Sequence, residues 1–156
     1  MNPGNDHADP QPGSPTLRTV FRWLAALLFV AVVVQVGLAG YGAFHAVHAA
    51  DHTSISKKTI DNAFNPHIAL GYIIVLVMLA LLLVALAGRL GKRAVLSSGV
   101  IVLLGIAQAI LGMASESTPA IGPLHTINAL AIFAASGALT HRSWPRRRSD
   151  TPAATA

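Results

Sequence analysis

Two histidines occupy matching places in the sequence. His67 directly follows Pro66, and His125 closely follows Pro123. Each histidine opens a charge-free apolar segment, and proline is well tolerated in the first turn of a helix. Neutral imidazole is a standard axial ligand of haem iron. If the two helices face each other, the pair would hold one haem b. The alternative is that each imidazole only lies at the lipid headgroup boundary, with its polar tip in water.

Four other side chains are candidates to support such a site. Tyr72 and Asn128 follow the two histidines within the same segments, and Lys57 and Lys58 precede the first of them. We expect Tyr72 to hydrogen-bond at the haem edge and Asn128 to line the slot between helices. The two lysines are the cations available to the haem propionates on that side of the membrane.

A second histidine group, His45, His48 and His52, lies before the second apolar segment. If the first helix extends past Phe44, these side chains share a face, because residues three and four apart are neighbours on a helix. Imidazole suits zinc and copper, so the group is a weak metal-site candidate. The alternatives are polar residues at a fraying helix end, or hydrogen-bond donors above a haem edge.

The elements that must position these residues are helices in a membrane. The 156-residue chain is 53% apolar and 11% charged and has no cysteine. Four stretches of about 20 residues carry no charge, which is the length that crosses a hydrocarbon core as a helix. Lipid offers the backbone no other partners there. We expect spans at about residues 23–44, 67–88, 94–115 and 121–140.

Basic residues predict the orientation. Nine of them flank one side of the predicted spans, against only Lys57 and Lys58 on the other. The positive-inside rule then places both termini in the cytoplasm, in a multi-pass protein of the cytoplasmic (inner) membrane. The split of this charge among short flanking segments argues against nucleic-acid binding. The nine residues are Arg18, Arg22, Arg89, Lys92, Arg93, Arg142, Arg146, Arg147 and Arg148.

Short connections between spans two, three and four predict an all-α, up-down-up-down four-helix bundle at residues 20–141. Residues 1–19 and the basic residues 142–156 are expected to be disordered cytoplasmic tails. One alternative is a signal peptide cleaved after Ala49, but the apolar run is longer than such a peptide needs.

Polar residues inside the spans indicate how the bundle is held together. Gln35 and Gln108 stand in the first and third spans, each followed by a loop, a proline and a histidine, which suggests an internal repeat. Together with Asn128 they are expected to hydrogen-bond between helices. The alternative is that the two stretches are similar by chance, because both spans are rich in Ala, Gly and Leu. No span carries Asp, Glu, Lys or Arg, which argues against a proton-coupled transporter.

The sequences Pro-His67-Ile-Ala-Leu-Gly and Leu-His125-Thr-Ile-Asn-Ala, with Gln108-Ala-Ile-Leu-Gly-Met in the third span, resemble one four-helix half of a haem A synthase. The resemblance covers about residues 20–141. It implies a haem held by His67 and His125 near the outer face. The chain is also similar to small uncharacterised four-span membrane proteins of actinobacteria.

Two departures from that family bear on activity. Its catalytic half has a carboxylate shortly before the second-helix histidine and an arginine directly after it. Here the stretch before His67 is Ala-Phe-Asn65-Pro, without a carboxylate, and the residue directly after it is Ile68. The outer cysteine pair of many members is also missing. The resemblance therefore implies haem holding or electron transfer with a respiratory or haem-maturation partner, with a homodimer as one arrangement. The alternatives are a cofactor-free structural or assembly subunit and a haem-modifying enzyme.

Overall fold

The fold is a bundle of four long helices. A computed structural model describes residues 14–52 and 56–145. Within these ranges all regular structure is helical: α1 (Pro15–His52), α2 (Lys57–Ala87), α3 (Lys92–Ser117) and α4 (Gly122–Ser143), with a single 3-10 turn at Pro119–Ile121. All four helices are long and apolar enough to cross a membrane. The predicted all-α, multi-pass membrane bundle is confirmed.

Each helix packs against two neighbours. α1 contacts α2 and α4, and α3 contacts the same two helices, so α1 and α3 form one diagonal and α2 and α4 the other. No Cα atom of α2 comes within 8 Å of a Cα atom of α4. Only side chains therefore meet across the α2–α4 diagonal.

The apolar core lies in one half of the bundle. We call the end where α1 begins, α4 ends and residues 88–91 join α2 to α3 the tail end; the other is the histidine end. The large buried side chains, among them Leu28, Met78, Leu81 and Ile101, lie in the half towards the tail end. In the half towards the histidine end, the described residues that are fully buried are the small Gly42 and Ala63. Among the described residues, that half therefore buries no large apolar side chain.

Close packing in the core half depends on small and polar residues. Gly105 of α3 packs directly against the sulfur of Met78 in α2. The Thr140 hydroxyl of α4 donates a hydrogen bond of 2.9 Å to the Ala25 carbonyl of α1. Lipid chains are as apolar as Leu side chains, so the hydrophobic effect contributes little here and helix association relies on such contacts.

The helices are longer than predicted. α1 begins at Pro15, where the Ser14 hydroxyl accepts a hydrogen bond of 3.5 Å from the Leu17 N–H. Residues 15–19, predicted as part of a disordered tail, are therefore helical, because a serine followed by proline supplies a normal helix start. At the far end α1 continues to His52, and α4 includes Arg142 and Ser143. Residues 1–13 and 146–156 of the predicted tails lie outside the described residues.

α2 begins ten residues before the span predicted at about residues 67–88. The helix begins at Lys57, and its N-cap is Ser56, whose hydroxyl accepts from the Thr59 N–H at 3.2 Å. A 2.9 Å ion pair between Lys57 and Asp61, one turn apart, supports this first part. Pro66 is then inside α2. It removes one backbone donor and leaves the carbonyl of the exposed Asn62 without its usual partner, a cost the helix tolerates.

His67 is therefore not in a first helical turn, whereas His125 is. Asn65 and Pro66 are helical residues of α2, so the prediction that His67 opens its helix is wrong. α4 does begin at Gly122 with proline at its start, so His125 stands in the first turn as predicted. The two histidines thus lie at the same level of the bundle, although one is inside its helix and the other is in a first turn.

Candidate functional site

The two predicted ligand histidines meet inside the bundle. The ring centres of His67 and His125 are 6.4 Å apart, and the ring planes are inclined by 60°. Both residues are half-buried. They come from α2 and α4, the diagonal pair of helices, so the site lies on the axis of the half towards the histidine end.

The His67 ring is fixed by α1. Its Nδ1 lies 3.1 Å from the backbone carbonyl oxygen of Gln35, and the Gln35 amide Nε2 donates to the His67 carbonyl at 2.8 Å. A carbonyl oxygen only accepts, so Nδ1 carries the hydrogen, and in the neutral imidazole Nε2 is then the nitrogen with the lone pair. Gly71 makes room for the amide: a Cβ there would lie 3.3 Å from Gln35 Nε2.

The His125 ring is fixed in the same way by α3. Its Nδ1 lies 3.2 Å from the Gln108 carbonyl oxygen, so this nitrogen also carries the hydrogen. Nε2 is then an acceptor, and the Gln108 amide Nε2 donates to it at 3.0 Å. Gly112 allows the ring to approach, because a Cβ there would stand 3.2 Å from His125 Cε1.

Asn128 holds the Gln108 side chain in this position. Its Nδ2 donates to Gln108 Oε1 at 2.7 Å and to the Leu104 carbonyl at 2.9 Å. Gln108 thus accepts from Asn128 through Oε1 and donates to His125 through Nε2, so both bonds agree on which amide atom is oxygen and which is nitrogen. Asn128 acts on His125 through Gln108 and does not touch the ring itself. The prediction that Gln35, Gln108 and Asn128 bond between helices is confirmed.

The two helix hairpins, α1–α2 and α3–α4, share one motif. In each hairpin, a histidine Nδ1–H donates to the backbone carbonyl of a glutamine in the preceding helix. This contact supports the predicted internal repeat. The glutamine side chains differ, because Gln35 bonds to backbone while Gln108 covers the ring nitrogen of its histidine. Gln35 Oε1 is buried and has no hydrogen-bond partner.

The distance between the ring centres is close to that of two imidazoles on one metal. With a metal–nitrogen bond of about 2 Å on each side and about 1.1 Å from nitrogen to ring centre, the ring centres of such a pair stand about 6 Å apart. Histidine ligands commonly donate their second ring N–H to a carbonyl, which fixes the tautomer, and both rings here do so. In the neutral imidazole with its hydrogen on Nδ1, His67 Nε2 is the nitrogen available to a metal. His125 Nε2 is also unprotonated but accepts from Gln108, so that amide has to rotate away before a metal can bind.

The other predicted haem contacts are less close to the pair. Tyr72 is 68% exposed and lies on the outside of α2. Lys57 is paired with Asp61, and it precedes His67 by about 15 Å along the helix axis. Lys58 is exposed in the same turn. A role for these three residues at a haem edge or its propionates stays a prediction.

His45, His48 and His52 lie on a continuous helix, the condition for their sharing a face. The His45 ring stacks on Tyr41 with ring centres 5.7 Å apart. The side chain of His52 lies outside the described residues. Among the residues that the structure describes, no group of three or more His, Asp or Glu side chains is placed to hold a metal ion. The metal site stays a prediction.

Sequence reasoning missed Phe64. Its ring meets the His67 ring edge-on, with centres 6.5 Å apart. Gly42 of α1 accommodates that ring, since a Cβ at Gly42 would come 2.9 Å from Phe64 Cδ1. The spacing of Phe64 and His67, three residues apart, was a usable signal only once Pro66 was known to lie inside the helix.

Comparison with known proteins gives a family without an assigned activity. No curated protein and no solved structure matches the chain. One family model matches residues 35–115, a range that holds Gln35, His67 and Gln108 and ends before α4. None of this bears on the resemblance to haem A synthase. The matched range is more than half of the chain, which therefore belongs to DUF6220, a family of unknown function.

Proposed function

We propose that this protein binds one b-type haem between His67 and His125 and works in electron transfer or haem handling. The observation that carries the proposal is the matched orientation of the two rings. Each Nδ1–H is tied to a glutamine carbonyl, and the ring centres lie 6.4 Å apart across the bundle axis. Both Nε2 atoms then have the protonation state that iron ligation needs.

The packing of the bundle supports a cofactor in the half towards the histidine end. The largest buried side chains, such as Leu28, Met78 and Leu81, lie in the other half. Around the histidine pair the interior holds partly buried Gln35, Gln108 and Asn128 instead. A flat apolar cofactor there would supply the contacts that large core residues supply elsewhere.

When bound, the haem would supply one-electron redox chemistry, and the chain's own residues would position it. His67 and His125 would be the axial ligands, and the carbonyls of Gln35 and Gln108 would orient their rings. The proposal assigns no catalytic residue. With both termini in the cytoplasm, as the basic residues predict, the site would face the outer side and a membrane partner there.

A cofactor-free scaffold is the second candidate, and one contact favours it. The Gln108 amide already satisfies His125 Nε2, and Asn128 holds that amide in place. In that reading the polar network is complete as it stands and serves only to join α3 to α4. The two candidates differ in whether Gln108 is displaced by a metal.

A reduced-minus-oxidised absorbance spectrum of the detergent-purified full chain separates them. Protein made in haem-replete cells should show a Soret band and an alpha band. His67→Ala and His125→Ala should each lose the low-spin signal while remaining helical and monodisperse. His141→Ala is the matched control, because His141 lies at the tail end, and its spectrum should equal that of the wild type. A colourless wild type would support the scaffold.

A further inference from the structure

The tail end of the bundle carries a cavity that the histidine site does not use. It has a volume of about 800 Å³ and lies between α1, α3 and α4. Its floor includes the buried side chains of Phe21 and Leu139. A volume of this size is within the range of small-molecule sites, roughly 300 to 1,000 Å³.

The cavity is lined by arginine from three helices. Arg18 and Arg22 come from α1, Arg93 from α3 and Arg142 from α4. The guanidinium group presents a planar set of donors that matches phosphate oxygens. The lining thus draws arginine from three separate helices, which distinguishes it from a basic stripe along a single helix.

Among the residues that the structure describes, the charged side chains at this end are all basic. Among residues 14–52 and 56–145, the acidic side chains are Asp51, Asp61 and Glu116, and all three lie at the histidine end. The described part of the tail end also carries Arg89 and Lys92. The cavity therefore lies in a positive field that favours an anion.

A second, apolar cleft continues from the cavity. It has a volume of about 250 Å³ and runs along the seam between α3 and α4. The two cavities share Leu96, Ser97, Leu139 and Arg142. From Arg142 the cleft extends past Ala138 to Ala135, about 10 Å towards the middle of the bundle. Its lining beyond the shared residues is aliphatic.

We propose that these connected cavities bind one anionic phospholipid. The phosphate would contact Arg22, Arg93 and Arg142, and one acyl chain would lie in the cleft between α3 and α4. A polar head beside an apolar groove, in a helix bundle that crosses a membrane, matches this amphiphile better than a soluble anion. Basic pockets between transmembrane helices are known to take such headgroups.

Native mass spectrometry of the delipidated full chain tests the proposal. Phosphatidylglycerol and phosphatidylcholine are titrated separately, and the first bound lipid is measured. The first phosphatidylglycerol should bind at least about tenfold more tightly than phosphatidylcholine, and binding should saturate at one per chain. Equal binding of the two lipids by the wild type overturns the proposal without need of any variant.

Variants then locate the site. The double substitution Arg93→Gln with Arg142→Gln should remove most of the preference for phosphatidylglycerol over phosphatidylcholine. The control is Arg89→Gln with Lys92→Gln, which removes two charges outside the lining. It should change that preference no more than about threefold. Arg93→Lys with Arg142→Lys keeps the charge and should retain only part of the preference. Equal losses in the lining and control pairs would show diffuse attraction and contradict a built site.

A last arm separates lipid from soluble phosphate. Ala138→Phe fills the cleft and leaves every arginine in place, so it should weaken phosphatidylglycerol binding at least about tenfold. Glycerol phosphate at millimolar concentration should not displace the lipid. If Ala138→Phe has no effect and glycerol phosphate displaces the lipid, the cavity takes a soluble phosphate and the lipid proposal is wrong.

Discussion

The rings of His67 and His125 meet across the diagonal of the bundle that separates α2 from α4. Their ring centres are 6.4 Å apart, whereas no Cα atoms of α2 and α4 come within 8 Å. The ring pair is thus a side-chain contact between the hairpins α1–α2 and α3–α4 on this diagonal. A metal between the rings would link the hairpins directly, so its binding should stabilise the whole bundle by mass action.

Removing the Gln108 side chain should make haem binding tighter. Gln108→Leu leaves the backbone carbonyl that orients His125 but removes the amide that covers its Nε2. The hydrogen bond lost is worth about 0.5 to 1.5 kcal/mol, so the apparent affinity for haem should rise roughly two- to tenfold. A titration of purified apo-protein with haemin, followed at the Soret band, measures it.

Gln35→Leu is the control for that experiment. The Gln35 amide bonds to the His67 backbone carbonyl and not to the ring, so its loss uncovers no ligand nitrogen. Haem affinity should stay the same or fall. A gain as large as that of Gln108→Leu would mean that looser packing, and not the uncovered Nε2, explains the effect.

The interhelical amide bonds should contribute modestly to stability. Asn128→Leu removes both bonds that Asn128 makes to α3 and should lower the free energy of unfolding by about 0.6 to 1.7 kcal/mol. Reversible unfolding in mixed micelles of increasing SDS fraction measures it. Thr126→Val is the matched control, since Thr126 is exposed and bonds only within its own helix. Equal losses in the two variants would argue against interhelical bonding as the cause.

Two buried serines should respond in opposite ways. Ser98 is fully buried and its hydroxyl has no partner, whereas the Ser136 hydroxyl donates to the Phe133 carbonyl at 3.0 Å. Ser98→Ala removes an unpaired polar group, so stability should rise, by up to about 1 kcal/mol. Ser136→Ala should lower it by about 0.5 to 1 kcal/mol. The same micelle unfolding assay applies, and a loss for Ser98→Ala would show that its hydroxyl has a partner in the membrane.

Gly105 should tolerate no large side chain. It packs against Met78 in the densest part of the core, so Gly105→Leu should cost about 1 to 3 kcal/mol through overpacking. Gly99 lies on the same helix, and a Cβ there would meet nothing within 4 Å. Gly99→Leu should therefore leave the unfolding midpoint unchanged or slightly raised. Similar losses at the two positions would mean that α3 does not pack as described.

The sequence predicts the helices because lipid leaves the backbone no alternative. The charge-free stretches predict how many helices there are, and the short connections predict which helices are neighbours. The ends are harder, because polar residues such as Ser56 and Lys57 read equally well as a loop or as a first turn. The capping bond of Ser56 and the Lys57–Asp61 ion pair settle it in favour of helix.

The candidate site is predictable in its residues but not in its bonds. His67 and His125 stand out because each follows a proline at the edge of an apolar segment. Their shared use of a glutamine carbonyl depends on how far one helix is rotated against the next, which no spacing within a single helix reveals. The same holds for the arginine-lined cavity, since Arg22, Arg93 and Arg142 come from three separate helices.

Low-temperature electron paramagnetic resonance of the oxidised, haem-loaded protein shows whether His67 and His125 ligate the same iron. If His67 and His125 both ligate one iron, the wild type gives a low-spin ferric signal, as two axial imidazoles require. His67→Ala and His125→Ala should then each give a high-spin signal or bind no haem. A wild type that takes up no haem, or a low-spin signal that survives unchanged in either single variant, would contradict ligation by this pair.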